Sequence, residues 1–193
     1  MGEIKRLCVY CGSAGAVDQR YRDAAHDLGE NLAKAGIELV FGGGRIGLMG
    51  VAADAVLAAG GRVVGIIPGR LRDAELAHPG VSELVIAGSM HDRKRLMAER
   101  ADAFAVLPGG IGTLDEMFEI LTWRHLGLHD KPIFLVDVAG YWDPLRRLFD
   151  HLATTGFTAP LVPRLLNIVP GVAELMRVLA GAQLGGSPRS EWL

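Results

Sequence analysis

The chain has 193 residues, half of them apolar and 22% charged, with a formal net charge of −2. That fits one folded domain with a substantial core; it excludes a disordered chain, and it excludes a nucleic-acid polymer as main partner, since long phosphate backbones call for a basic surplus. No apolar run approaches the roughly 20 residues that span a bilayer, and the opening MGEIKR has no apolar signal core, so a cytoplasmic protein without membrane contact is expected.

Short β-rich runs alternate with amphipathic segments. A strand is predicted at residues 4–10, and it ends in C-V-Y-C. Cys8 and Cys11 then spread along a strand and its end, which points to packing rather than a redox pair; a redox motif would open a helix, and no second ligand pair for zinc exists. A helix at 19–35 follows, with Asp18 as its cap and Gly36 as its stop. After a strand at 37–41 comes GGGRIGLMG and a helix at 48–59. The run holds G-x-G-x-x-G as Gly42, Gly44 and Gly47. However, it follows the second strand, and the next strand, 62–67, ends in Pro68–Gly69 without the acid a dinucleotide site requires. Close backbone packing or a non-dinucleotide ligand is the better reading.

A short helical turn is predicted at 73–77 and a strand at 83–87. Ser89, followed by Asp92, caps a helix at 90–100. At about 100° per residue, Met90, Met97 and Ala101 form its buried stripe; Arg93 and Lys94 border that stripe and Arg95 points away. Two cations beside a buried face need an anionic partner, either a neighbouring acid or a ligand, and Arg offers a planar fork for phosphate or ribose hydroxyls.

The strand at 103–107 leads into PGGIGTLDE and a helix at 114–126 with core face Leu114, Met117, Phe118 and Leu121. Thr113 and Glu116 have the spacing of a capping box. Gly109 and Gly110 are not explained by a cap and suggest a backbone that approaches something closely, as at a phosphate site. Composition leaves cap and site both open. Glu116 lies nearly opposite the core face with Ile120 and Trp123, a second apolar strip fit for burial on both faces or a subunit contact. His125 and His129 run out of the helix and make a poor metal pair.

A strand at 132–136, a helix at 144–154, a strand at 166–169 and a helix at 172–179 complete the pattern. Strands alternating with helices predict a single domain over residues 1–180. Its fold is a Rossmann-like, doubly wound parallel sheet in three layers, α/β/α, with a flexible tail at 181–193. Ligands bind outside the carboxyl ends of strands in such sheets. Four loops of unusual composition leave those ends: CGSAG, GGGRIGLMG, IIPGRL and PGGIGT.

GGGRIGLMG, GIIP, SMHDRKRLM, PGGIGTLDE and HDKPIFLVDVAGYW, in this order and spacing, resemble the LOG ("lonely guy") family of cytokinin riboside 5′-monophosphate phosphoribohydrolases over nearly the whole folded chain. The resemblance implies that Arg93 and Glu116 are the catalytic pair and that Gly109, Gly110, Ile111, Gly112, Thr113, Leu114 and Asp115 wrap the 5′-phosphate. Glu75, Lys94 and Thr122 would complete the nucleotide site. It further implies a small nucleotide substrate, no metal or other cofactor, and a homodimer to which Ile120 and Trp123 contribute. Such proteins are often labelled lysine decarboxylases, but with four lysines in the chain, and Lys94 alone in a candidate pocket, a pyridoxal site is not expected. Two alternatives use the same scaffold: a broader glycosidase of AMP or related purine nucleotides, and a non-catalytic nucleotide-binding module.

Overall fold

Seven parallel strands form one sheet in the order β4-β3-β2-β1-β5-β6-β7, in a computed structural model that describes residues 3–74, 76–158 and 165–181. Along the chain the elements are β1 (Arg6–Tyr10), α1 (Gln19–Lys34), β2 (Glu38–Phe41), α2 (Gly47–Ala58), β3 (Val63–Pro68), α3 (Gly69–Asp73), β4 (Glu83–Ala87), α4 (Met90–Arg100) and β5 (Ala103–Val106). Then follow α5 (Ile111–His125), β6 (Ile133–Val136), a 3₁₀ turn (Val138–Gly140), α6 (Asp143–Thr154), β7 (Asn167–Val169) and α7 (Val172–Gly181). The expected alternation and doubly wound sheet are present; residues 182–193, where the flexible tail was expected, lie outside the described residues.

The inner strands read as near-continuous apolar runs because both faces are covered, whereas on the edge strand β4 Leu84 and Ile86 stay exposed. Side chains alternate between two cores. Leu7, Val9, Leu39 and Phe41 pack under α1, α2 and α7; Cys8, Tyr10, Val40 and Val64 pack under α4, α5 and α6. Both cysteines are buried and unbridged. From β1 the chain winds outward through β2, β3 and β4, then α4 carries it back to β5, beside β1, and it winds the other way. The change of direction comes with a change of face, which keeps the crossovers of one hand. The loops after β1 and β5 therefore diverge from neighbouring strands and leave a crevice between them.

Local signals explain several boundaries. Asp18 accepts from the Arg20 backbone N–H at the start of α1, and Gly36 turns left-handed just past its end. Ser89 accepts from the Asp92 N–H at the start of α4. The helical turn expected at 73–77 occurs earlier, as α3, because Pro68 ends β3 with a fixed φ of −64° and stands at the helix cap. Ala77 instead bridges to Gly44. The stripe on α4 also differs: Met90, in its first turn, is 44% exposed, whereas Arg93, Lys94, Met97 and Ala98 are buried. Ile120 is 2% exposed and belongs to the core under α5, so it is not a subunit contact; Trp123 is half-buried.

Candidate active site

Helix α5 starts three residues before its apolar periodicity, at Ile111, with Gly110 as its cap residue and no side-chain cap hydrogen bond. The capping box expected from Thr113 and Glu116 is not formed. Thr113 is already the third helical residue and is buried against Gly109, where a Cβ would overlap its hydroxyl. Among the described residues, the backbone N–H groups of residues 109–113 meet no protein acceptor. Unpaired N–H groups and the positive end of the helix dipole coincide here, the arrangement that holds an anion.

One and a half turns further along α5 stands Glu116, its side chain 11% exposed. Arg93 faces it from α4, with Nη2 3.8 Å from Glu116 Oε1 and 2.9 Å from the Gly42 carbonyl, to which it donates. A Cβ at Gly42 would overlap that nitrogen, so the glycine makes room for the guanidinium. Arg93 Nε is buried and has no partner among the described residues. Burial pushes the Glu116 carboxyl up to about 7; Arg93 opposes the shift, and nearby Asp115 adds to it. A carboxyl with that pKa can exchange protons near neutrality.

Lys94, the next residue, is neutralised from within. Its Nζ lies 3.1 Å from Asp115 Oδ2 and 3.2 Å from Glu119 Oε1, tying α4 to α5. Burial pulls its pKa down, but hydrogen bonds to the two carboxylates outweigh that and leave it raised.

A cavity of about 410 Å³ opens between these elements, lined mainly by the loops after β1 and β5 and by Leu48 and Met49 from the first turn of α2. Arg93, Gly109, Gly110, Ile111, Gly112, Thr113 and Glu116 all line it. Lys94, Leu114, Asp115 and Thr122 do not; Thr122 is exposed, and its hydroxyl donates to the Phe118 carbonyl. Glu75 lies outside the described residues. Of the four loops singled out by composition, IIPGRL takes no part in the lining. A larger depression of about 690 Å³ lies at the opposite, amino-terminal edge of the strands, where Arg6 pairs with Asp102 and Arg62 with Glu38. It offers no uncapped helix end.

Sequence reasoning singled out the CGSAG loop that holds Gly12 but assigned no role in this wall to Gly12, Tyr21 or Tyr141. Gly12 donates its N–H to the Pro108 carbonyl at 3.0 Å and accepts from Leu48 at 2.9 Å, stitching the loops together. Tyr21, from α1, and Tyr141, from the turn after β6, meet edge to face and line the cavity. The signal for Tyr141 was its place just past a strand's carboxyl end, in V-A-G-Y-W.

A family model described as possible lysine decarboxylase matches residues 49–179. A probable cytokinin riboside 5′-monophosphate phosphoribohydrolase of Oryza sativa subsp. japonica is 43% identical over 194 aligned positions, covering 99% of this chain and 87% of its own. A cytokinin riboside 5′-monophosphate phosphoribohydrolase of Arabidopsis thaliana is 42% identical over 177 positions, 92% of this chain and 83% of its own. Among solved structures, the molybdenum cofactor binding protein of Rippkaea orientalis is similar with a TM-score of 0.70 at 20% identity, covering 94% of this chain and 98% of that one. At that identity the likeness concerns the fold alone. The decarboxylase description does not fit the residues. Pyridoxal chemistry needs a lysine with a depressed pKa, open to the cofactor; Lys94 is raised and paired twice, Lys131 is lowered by burial but donates to the Ala98 carbonyl, and neither lines the cavity.

Proposed function

The chain belongs to the LOG family, and from that premise we propose that it hydrolyses the N-glycosidic bond of cytokinin riboside 5′-monophosphates, which are N6-substituted adenosine monophosphates. The products are the free base and ribose 5-phosphate. One observation carries this reading: a buried carboxyl paired with a buried arginine, set below an uncapped helix end in the same cavity. Gly110 and Glu116 are six residues apart on one helix, roughly 9 Å along its axis, which leaves room for a ribose between phosphate and carboxyl.

Each group then has a task. The N–H groups of residues 109–113 take the 5′-phosphate and fix the sugar ring. As the C1′–N bond breaks, its electron pair leaves with the base and positive charge develops on the ribose, as in other glycoside hydrolyses. Ionised Glu116 stabilises that charge and accepts a proton from the attacking water, whose oxygen bonds to C1′. The departing base takes up a proton, so the sum is nucleotide plus water giving base plus ribose 5-phosphate. Arg93 keeps Glu116 oriented and partly ionised and, as part of the cavity wall, orients the ribose. The cytoplasmic location and the homodimer belong to the same proposal, with Trp123 retained as a contact residue and Ile120 withdrawn.

The test is base release, followed by chromatography, from AMP and from isopentenyladenosine monophosphate. Preference for the substituted nucleotide supports the proposal. Equal turnover makes the protein a general purine nucleotide glycosidase, and no release from either makes it a binding module. Glu116→Gln should still bind nucleotide while losing at least 100-fold in kcat, the usual scale for a lost general base; an active variant removes Glu116 from the mechanism.

A further inference from the structure

The turn after β6 reaches across to the loop after β5. Its shape is unusual: Ala139 adopts φ 54° and Gly140 φ 74°, the left-handed region that a residue with a Cβ rarely enters. The Asp137 carboxylate closes the turn by accepting the Trp142 N–H at 2.9 Å. This folds Tyr141 back over the site. Its ring meets Tyr21 edge to face at 5.3 Å and Trp142 at 4.8 Å, and its hydroxyl donates to the Gly109 carbonyl at 2.8 Å.

That hydrogen bond acts on the anion site through one rigid unit. In a trans peptide the carbonyl and the following N–H point in opposite directions, so holding Gly109 O also fixes the direction of the Gly110 N–H. The peptide before it is held in the same manner, by the Gly12 N–H donating to Pro108 O at 3.0 Å. Both residues at the joint are glycines, whose peptide planes otherwise turn freely. A flipped plane would present a carbonyl oxygen to the phosphate where an N–H is needed.

We propose that Tyr141 is a positioning residue for the substrate phosphate: its hydroxyl tethers the Gly109 carbonyl and so keeps the Gly110 N–H turned toward the anion. The inference rests on the nucleotide reading of the site and adds to it a residue outside the PGGIGT loop.

Tyr141→Phe isolates the hydroxyl, because the ring stays to pack on Tyr21 and Trp142. In the full-length chain, KM for AMP and its calorimetric Kd should rise about 3- to 10-fold, the scale of one neutral hydrogen bond, with kcat within about twofold of its starting value. Inhibition by ribose 5-phosphate should weaken by the same factor, and inhibition by free adenine should not weaken. A merely structural role would weaken both together. A fall in kcat at constant KM, no change in either, or a loss shared by adenine would overturn the proposal. If the full-length protein releases no base from any nucleotide, the functional reading fails on its own. The AMP and ribose 5-phosphate affinities of the two proteins then still decide the role of Tyr141.

Discussion

Arg93 occupies a space that only glycine leaves open at position 42, and this makes Gly42→Ala a test of the catalytic pair that alters neither member. The added Cβ overlaps Nη2, so the guanidinium must retreat from the Gly42 carbonyl and from Glu116. Burial already holds the Glu116 carboxyl at about 7 against the pull of Arg93; with the cation further away it rises again. The ionised form accepts the water proton, so kcat/KM should climb with pH and level off above about 7. In Gly42→Ala the midpoint should move to higher pH, and each unit of movement costs about tenfold below it. The substrate phosphate, which ionises near 6, adds a step common to both proteins. A pH–rate series on the two proteins checks this. An unchanged midpoint with a lower plateau would mean that Arg93 serves binding and does not tune Glu116.

At the scale of elements, the pattern of strands and helices was legible because buried parallel strands are apolar runs and their covering helices are periodic. Partner order was not, since α4 returns the chain from β4 to β5 through pairings between segments far apart in sequence. The start of α5 shows a subtler limit. Thr113 and Glu116 match the spacing of a capping box, yet the helix begins at Ile111, behind Gly110, with no side-chain cap, leaving the N–H groups unused. A sequence rule that counts side-chain acceptors does not register donors left free for a ligand. Arg93 and Glu116 were legible as charges near apolar stripes, and the resemblance supplied their pairing; Tyr141 was not, because its role depends on a turn after the neighbouring strand β6 that reaches the Gly109 carbonyl. Gly29 was also passed over. It sits where α1 crosses α2, and a Cβ there would come 2.5 Å from the Ala52 carbonyl oxygen and 2.7 Å from the Ala55 Cβ. Gly29→Ala gains about 1 kcal/mol in helix propensity, but forcing two helices apart costs about 1–3 kcal/mol. The neighbour is backbone and cannot turn aside, so the cost should win and thermal melting should show a lower Tm. A rise in Tm would show that the helices separate easily.

For the molecule as a whole, the buried carboxyl sets how stability depends on pH. Glu116 has a folded-state pKa of about 7, above its ordinary value of 4.5. A raised pKa means that the folded state binds the proton more tightly than the unfolded one. The resulting stability is complete below 4.5, declines as pH rises, and is lost once pH passes about 7. The loss is roughly 2–4 kcal/mol, a large share of the 5–15 kcal/mol typical of a folded protein. Glu116→Gln resembles the protonated form and escapes that loss. The other carboxylates, including Asp102 held low by Arg6 despite its burial, act equally in both proteins and cancel in the difference. The variant should therefore match the parent near pH 4.5 and exceed it at pH 8 by about 5–10 °C in Tm, at the usual conversion for a chain of this size. Equal melting at both pH values would mean that the ionised carboxylate is well solvated, and a wet Glu116 would not have the basicity the mechanism assigns to it. Stabilisation together with lost turnover would show that the burial which weakens the fold above neutrality is the same burial that makes Glu116 a base.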